Sequence, residues 1–263
     1  MNKSFSKLSF ILALTLLLFL GVTGTSFASY LIKWAQPVWM FQGGDDIDSY
    51  DSPATGVQAA ADDWQCTNGV QNITDINWWG SYKTVGGYHD TDSLFNTVIN
   101  SFTINFYSNG ATQPGSTVYS LGTYTVDDIN ESYFGGNMGT GDSVFRYHVT
   151  LDTPFDQTDG VTYWLSIYAT INTGQPYTWA WCTADPDYNW GDPAVTSIDL
   201  FENCEPQYYP TGHYYDGEAV NLAFDLATTD GGEVPEPGTM MLLGSLATGL
   251  FGVAGMKRKF SRK

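Results

Sequence analysis

Along residues 145 to 151, Phe145, Tyr147, Val149 and Leu151 alternate with Arg146, His148 and Thr150, and this period of two is what most restricts the fold. Successive side chains point to opposite faces in an extended strand, so a segment written this way has one buried face and one wet face. The alternation recurs in Phe102, Ile104 and Phe106, in Tyr163, Leu165, Ile167, Ala169 and Ile171, and in Val220, Leu222, Phe224 and Leu226. Residues 73–82, 116–126 and 177–183 read as further strands. Turn signals separate them: Ser108-Asn109-Gly110, Gln113-Pro114-Gly115, Gly135-Gly136-Asn137 and Thr173-Gly174-Gln175-Pro176. Half-buried strands punctuated in this way predict an all-β fold, an antiparallel β-sandwich or jelly roll, over a parallel α/β sheet.

Charge divides the chain into three parts. Lys3 and Lys7 stand at the start and Lys257, Arg258, Lys259, Arg262 and Lys263 at the end, while the middle holds Lys33, Lys83 and Arg146 against all 28 Asp and Glu. Such a deficit of cations argues against a nucleic-acid partner, because phosphate binding draws chiefly on Lys and Arg. Residues 1–28 have a basic start, an apolar run from Leu8 to Leu20 and a small-residue stretch ending Ser26-Phe27-Ala28. That is the layout of a secretory signal peptide cleaved after Ala28. Residues 29–233 then form one β-rich ectodomain.

At the other end, residues 234–239 read Val-Pro-Glu-Pro-Gly-Thr, residues 240–256 are apolar and residues 257–263 are basic. A helix over 240–256 would span roughly 25 Å, and the basic tail would keep its end in the cytoplasm. Two prolines fix φ and remove two backbone donors, leaving an extended stretch at Pro235-Glu236-Pro237 that a protease cleft can read. The order of Pro-Glu-Pro, apolar helix and basic cluster closely resembles the PEP-CTERM sorting signal of Gram-negative bacteria. The resemblance implies that Pro235, Glu236 and Pro237 are a substrate motif for exosortase, a membrane cysteine protease acting at the outer face of the inner membrane. It also implies an inner-membrane intermediate, then release to the cell surface or outside. Ala61-Asp62-Asp63-Trp64-Gln65-Cys66 and Ile73-Thr74-Asp75-Ile76-Asn77-Trp78-Trp79-Gly80-Ser81-Tyr82 resemble an uncharacterised aromatic-rich ectodomain family found in many PEP-CTERM proteins, without established activity.

Motifs for chemistry are sparse in the middle segment. Cys66, Cys182 and Cys204 lie far in sequence from a His that could activate them, and in an oxidising compartment one bridge and one leftover thiol is the parsimonious count. A Cys182–Cys204 bridge would clamp an irregular Asp- and Tyr-rich excursion, with Cys66 pairing to either as the alternative. His89, His148 and His213 lack zinc-ligand spacing, and His148 on the polar face of its strand reads as solvated. Gly141-Asp142-Ser143 is better read as a turn than as an esterase block.

Asp185, Asp187, Asn189 and Asp192 offer oxygen ligands at alternate positions, as Ca²⁺ loops do, although Trp190 and Thr196 depart from the EF-hand pattern and a solvated turn is the competing reading. Asp45, Asp46, Asp48 and Asp51 form a second acidic loop. Trp78, Trp79, Trp179 and Trp181 are candidates for stacking on sugar rings, with core packing the competing use of the same residues. The function expected is that of an exported, non-enzymatic surface or matrix protein with a structural or adhesive ectodomain and exopolysaccharide as a partner. A carbohydrate-binding module, calcium-dependent or not, is the first alternative, and a glycoside hydrolase using paired carboxylates is the second.

Overall fold

The computed structural model describes residues 30–40, 46–53, 56–65, 72–84, 87–88, 94–136, 143–188, 190–211 and 215–229. Its strands are β1 (Tyr30–Gln36), β2 (Asp46–Asp48), β3 (Tyr50–Ser52), β4 (Gly56–Gln65), β5 (Ile73–Thr84), β6 (Gly87–Tyr88), β7 (Ile99–Asn109), β8 (Pro114–Thr125), β9 (Asn130–Gly136), β10 (Ser143–Phe155), β11 (Thr162–Ile171), β12 (Tyr177–Cys182), β13 (Val195–Ser197), β14 (Glu205–Pro206) and β15 (Phe224–Thr229). Helix is confined, among the described residues, to α1 (Phe95–Val98) and a 3-10 turn at Pro186–Tyr188. The fold is all-β, with strands in two sheets, as the alternation predicts.

In the first sheet the strand order is β1-β15-β5-β10-β9, with β12 also on β5 and β2 on β12. Strand β5 is long enough to take two neighbours on one edge: β15 pairs with Asp75–Trp78 and β12 with Gly80–Thr84. The second sheet runs β14-β13-β4-β3-β11-β7-β8. Here β4 pairs with β11 only over Ala61–Gln65, and the short β3 fills the gap beyond, parallel to β11 at Ala169 and Thr170. Tyr30 faces Thr229 across the β1–β15 ladder, so the two ends of the paired region lie side by side.

The core between the sheets is aromatic. From β5 come Ile76, Trp78 and Tyr82, from β10 Phe145, Tyr147 and Val149, from β12 Trp179 and Trp181, and from the second sheet Trp64, Phe102, Phe106 and Leu165. Trp78 stacks on Tyr147 with ring centroids 5.5 Å apart and planes 18° from parallel, and Trp179 meets Phe102 edge to face at 4.9 Å. Each such pair adds about 1 kcal/mol beyond the area it buries. Gly80 is required where the Trp179 ring lies against the β5 backbone, because a Cβ there would overlap the indole.

Strand β4 carries no alternation, since it is buried on both faces. Ala60 and Trp64 face the core, while Ala59 and Ala61 pack with Trp164, Val195, Tyr107 and Phe201 in a layer over the outer side of the second sheet.

Candidate functional site

On the outer side of the first sheet, the residues that alternate with the core-facing ones form a polar surface. The ladders bring Ala35 beside Asp225, Asp225 beside Asn77 and Asn77 beside His148, one row across β1, β15, β5 and β10. Four strands at about 4.8 Å spacing make this row roughly 14 Å long. On one side of it Trp79 pairs with Arg146, and on the other Asp75 pairs with Thr150.

The polar side chains are ordered in two layers. Asp75 and Asn77 are buried, at 3% and 0% exposure. Above them, the His148 side chain is 31% exposed, Arg146 and Asp225 are half-buried and Thr150 is exposed. His148 Nε2 lies 3.1 Å from Asp75 Oδ1 and the Thr150 hydroxyl donates to the same oxygen at 2.8 Å, while the Thr74 hydroxyl donates to Asp75 Oδ2 at 2.6 Å. A carboxylate oxygen only accepts, so Nε2 carries the proton and Nδ1 is the ring atom left for a further partner. Arg146 Nη2 donates to Asn77 Oδ1 at 2.8 Å, and its guanidinium carbon stands 5.9 Å from the centre of the Trp79 ring. Arg146 Nε is buried without a hydrogen-bond partner. Burial pushes the Asp225 carboxyl up to about 6, against the opposing pull of the Arg146 charge. Donors, acceptors and a cation on one sheet face suit a polyhydroxylated or carboxylated ligand.

The profile of a domain of unknown function, DUF7901, matches residues 32–227, from β1 through β15, and so takes in both sheets and this face. The chain belongs to the DUF7901 family. No curated protein matches it.

Within the DUF7901 domain several sequence expectations are corrected. None of the four candidate stacking tryptophans is open to a ligand: Trp78, Trp179 and Trp181 are fully buried and Trp79 is 5% exposed. Trp78, Trp179 and Trp181 fill the core, and Trp181 Nε1 donates to the Ala223 carbonyl at 2.8 Å. Trp79 does point outward, but Phe134 meets its ring edge-on at 5.7 Å and Met40 packs in the same cluster.

Cys182 and Cys204 are not bridged. Cys182 packs with Trp79, Val144 and Ala223, whereas the Cys204 thiol sits against the outer layer of the second sheet and donates to the Phe201 carbonyl at 3.7 Å. Cys66 lies outside the described residues.

The proposed calcium ligands do not converge either. Among the described residues, no group of three or more His, Cys, Asp or Glu could hold a metal ion. Asp185 instead caps its own turn, accepting the Asp187 N–H at 3.0 Å on its side chain and the Tyr188 N–H at 2.9 Å on its carbonyl. Asn189 lies outside the described residues. In the second acidic loop, Asp46 and Asp48 flank Lys83 Nζ at 2.6 and 3.3 Å. The sorting motif Pro235-Glu236-Pro237, the signal peptide and residues 240–256 also lie outside the description, and among the described residues no helix is long and apolar enough to cross a membrane.

Sequence reasoning placed Arg146, His148 and Thr150 on a polar face but missed Asp75 and Asn77 beneath them. The signal was present: within 73–82, Asp75, Asn77 and Trp79 share one parity and Ile76, Trp78 and Tyr82 the other.

Proposed function

We propose that this is an exported cell-surface or extracellular-matrix protein whose DUF7901 domain is a non-enzymatic adhesive module, binding exopolysaccharide on the outer face of the first sheet. Arg146 and His148 carry this reading. Each is partly exposed, and each is fixed from below by a buried acceptor, Asn77 and Asp75 respectively. A side chain held in place before binding loses less conformational entropy when it meets a ligand, so groups arranged this way favour binding over mere solvation. The linear row leading to His148 suits an extended chain of sugars better than a compact metabolite.

Export rests on the two ends of the chain. The three-part start directs secretion, and Pro235-Glu236-Pro237 with the apolar and basic segments behind it is the substrate of an exosortase-type protease.

Intact mass and polysaccharide co-sedimentation, measured on the protein from envelope and medium fractions, test both halves. The wild type is expected to lose its C-terminal segment near Glu236, and Pro235→Ala/Pro237→Ala to retain it. Arg146→Ala/His148→Ala is expected to cut retention on the exopolysaccharide at least about tenfold, in keeping with the loss of two fixed polar contacts. Equal tails in wild type and motif variant overturn the sorting reading, and unchanged retention overturns the binding face.

A further inference from the structure

Lys83 and Arg146, both on the first sheet, are compensated differently. Lys83 on β5 is held by Asp46 at 2.6 Å and Asp48 at 3.3 Å. Arg146 on β10 is half-buried, yet no carboxylate stands within ion-pair distance of it among the described residues. Its supports are neutral: Nη2 donates to Asn77 Oδ1 at 2.8 Å, and the guanidinium carbon lies 5.9 Å from the centre of the Trp79 ring. Taking a charge partly out of water without an opposite charge is unfavourable. In a chain of 28 Asp and Glu against 10 Lys and Arg, this guanidinium is nevertheless left for an anion from outside.

The geometry fixes which atoms such an anion meets. Nε is enclosed and Nη2 has one hydrogen on Asn77, so Nη1 and the other Nη2 hydrogen form the open end of the fork. That end-on pair matches the two oxygens of a carboxylate, which a guanidinium meets in a planar, bidentate contact. Ser132 on β9 stands beside Arg146 across the ladder and is exposed. His148 follows two residues along β10 on the same face, about 7 Å away. Its Nε2 hydrogen is engaged by Asp75, so Nδ1 accepts. A sugar ring with a carboxylate on one side and hydroxyls on the other meets Arg146 and His148 together, whereas a neutral sugar leaves the Arg146 charge unanswered.

Asp225 limits the attraction. It sits across Asn77 on β15 and is influenced by the Arg146 charge, but the two form no ion pair. An incoming carboxylate therefore shares the field of Arg146 with Asp225.

On the basis of the outer-face reading, we propose that this face selects an acidic polysaccharide, taking the carboxylate of a hexuronic acid on Arg146 and a ring hydroxyl of the same sugar on His148 Nδ1, with Asp225 tempering the affinity.

Calorimetric titration of the full-length protein in detergent with a galacturonate oligomer, its carboxyl-reduced counterpart and a sulfated dextran tests it. Galacturonate is expected to bind at least about tenfold more tightly than the reduced oligomer, and to weaken as salt is added. Arg146→Gln is expected to abolish that preference. Asp225→Asn removes a competing negative charge and should tighten galacturonate about threefold while leaving the reduced oligomer unchanged. A gain of affinity does not arise from misfolding, so this variant keeps the test open if Arg146→Gln does not fold. Equal affinity for the two oligomers, with both weakened in Arg146→Ala/His148→Ala, would overturn the carboxylate and leave the binding face standing. Tighter binding of the sulfated dextran would overturn it in favour of a sulfate ester, and weaker galacturonate binding by Asp225→Asn would contradict the assigned charges. Absence of galacturonate binding overturns the proposal, and co-sedimentation with the native exopolysaccharide then decides separately whether the face itself stands.

Discussion

On β5, Asp75 is met by donors from three side chains, His148, Thr150 and Thr74. On β4 the neighbours Asp62 and Asp63 are just as buried, at 0% and 2% exposure, and form no ion pair among the described residues. Asp62 accepts backbone N–H groups from Leu222 at 2.6 Å and Asp63 at 2.9 Å, and the Gln36 amide, turned so that its nitrogen faces the carboxylate, donates at 3.0 Å. These contacts tie β4 of the second sheet to the end of β1 and to the segment just before β15 in the first. Asp63 lies against Gly191, where any Cβ would overlap its carboxylate, and its Oδ1 has no partner. Burial pushes Asp63 up to about 7, with the Asp192 charge adding to the rise, and burial followed by the Asp63 charge pushes Asp62 well above the usual carboxylate range. A buried acid with side-chain donors becomes a fixed part of a surface, while a buried acid without a cation favours the protonated form and serves the seam between sheets.

The largest expected effect is at that seam. Asp62→Ala leaves three N–H donors facing a small void, and about 4 kcal/mol of stability should be lost in chemical denaturation. Asp75→Ala, whose donors can turn toward water, should cost less than half as much. Equal costs would erase the distinction between the two regions.

Next in size is the pH dependence. Asp63 has a folded-state pKa above its unfolded value of 3.8, and so does Asp225 at about 6. The folded chain therefore holds protons that the unfolded chain has released between about pH 4 and 7, and stability falls as pH rises through that window. From pH 5 to pH 8 the unfolding free energy should drop by roughly 3 kcal/mol, and Asp63→Asn should flatten most of the slope. A profile that rises with pH, or one that Asp63→Asn leaves unaltered, would contradict the protonated seam.

The smallest effect is on the β5 side. Thr150→Val removes one donor from Asp75 at an exposed position and should cost about 1 kcal/mol, with the pH profile kept as in the wild type. Loss of the pH slope in this variant would mean that the two acidic regions are coupled.

Much of the scaffold was legible as period-two chemistry: β5, β7, β8, β10, β11 and β12 all fall where alternation and turn residues put them. β4 was not legible, because Ala59, Ala60 and Ala61 are all fully buried and a strand covered on both faces shows no alternation. Val220 and Leu222 alternate like a strand, yet they precede β15, in a segment that makes isolated bridges from Leu222 to Thr183 and from Ala219 to Tyr208. The candidate site was half legible. Parity alone puts Arg146 and His148 on the wet face, but their supports lie 69 and 73 residues away in sequence, and register across a ladder is not written in either strand.

By itself the sequence determined the fold class, the face on which the residues of the alternating strands lie and the excess of acid. These depend on neighbours two or three residues apart, or on composition. Which outward residue stays open was decided only by the tertiary structure. Trp79 is closed over by Phe134, Asp62 is met by Leu222 from 160 residues away, and of the two uses the sequence left to Trp78, Trp179 and Trp181, core and sugar platform, packing realised the core. Burial depends on what the rest of the chain lays over a residue, and distant segments choose that cover by packing.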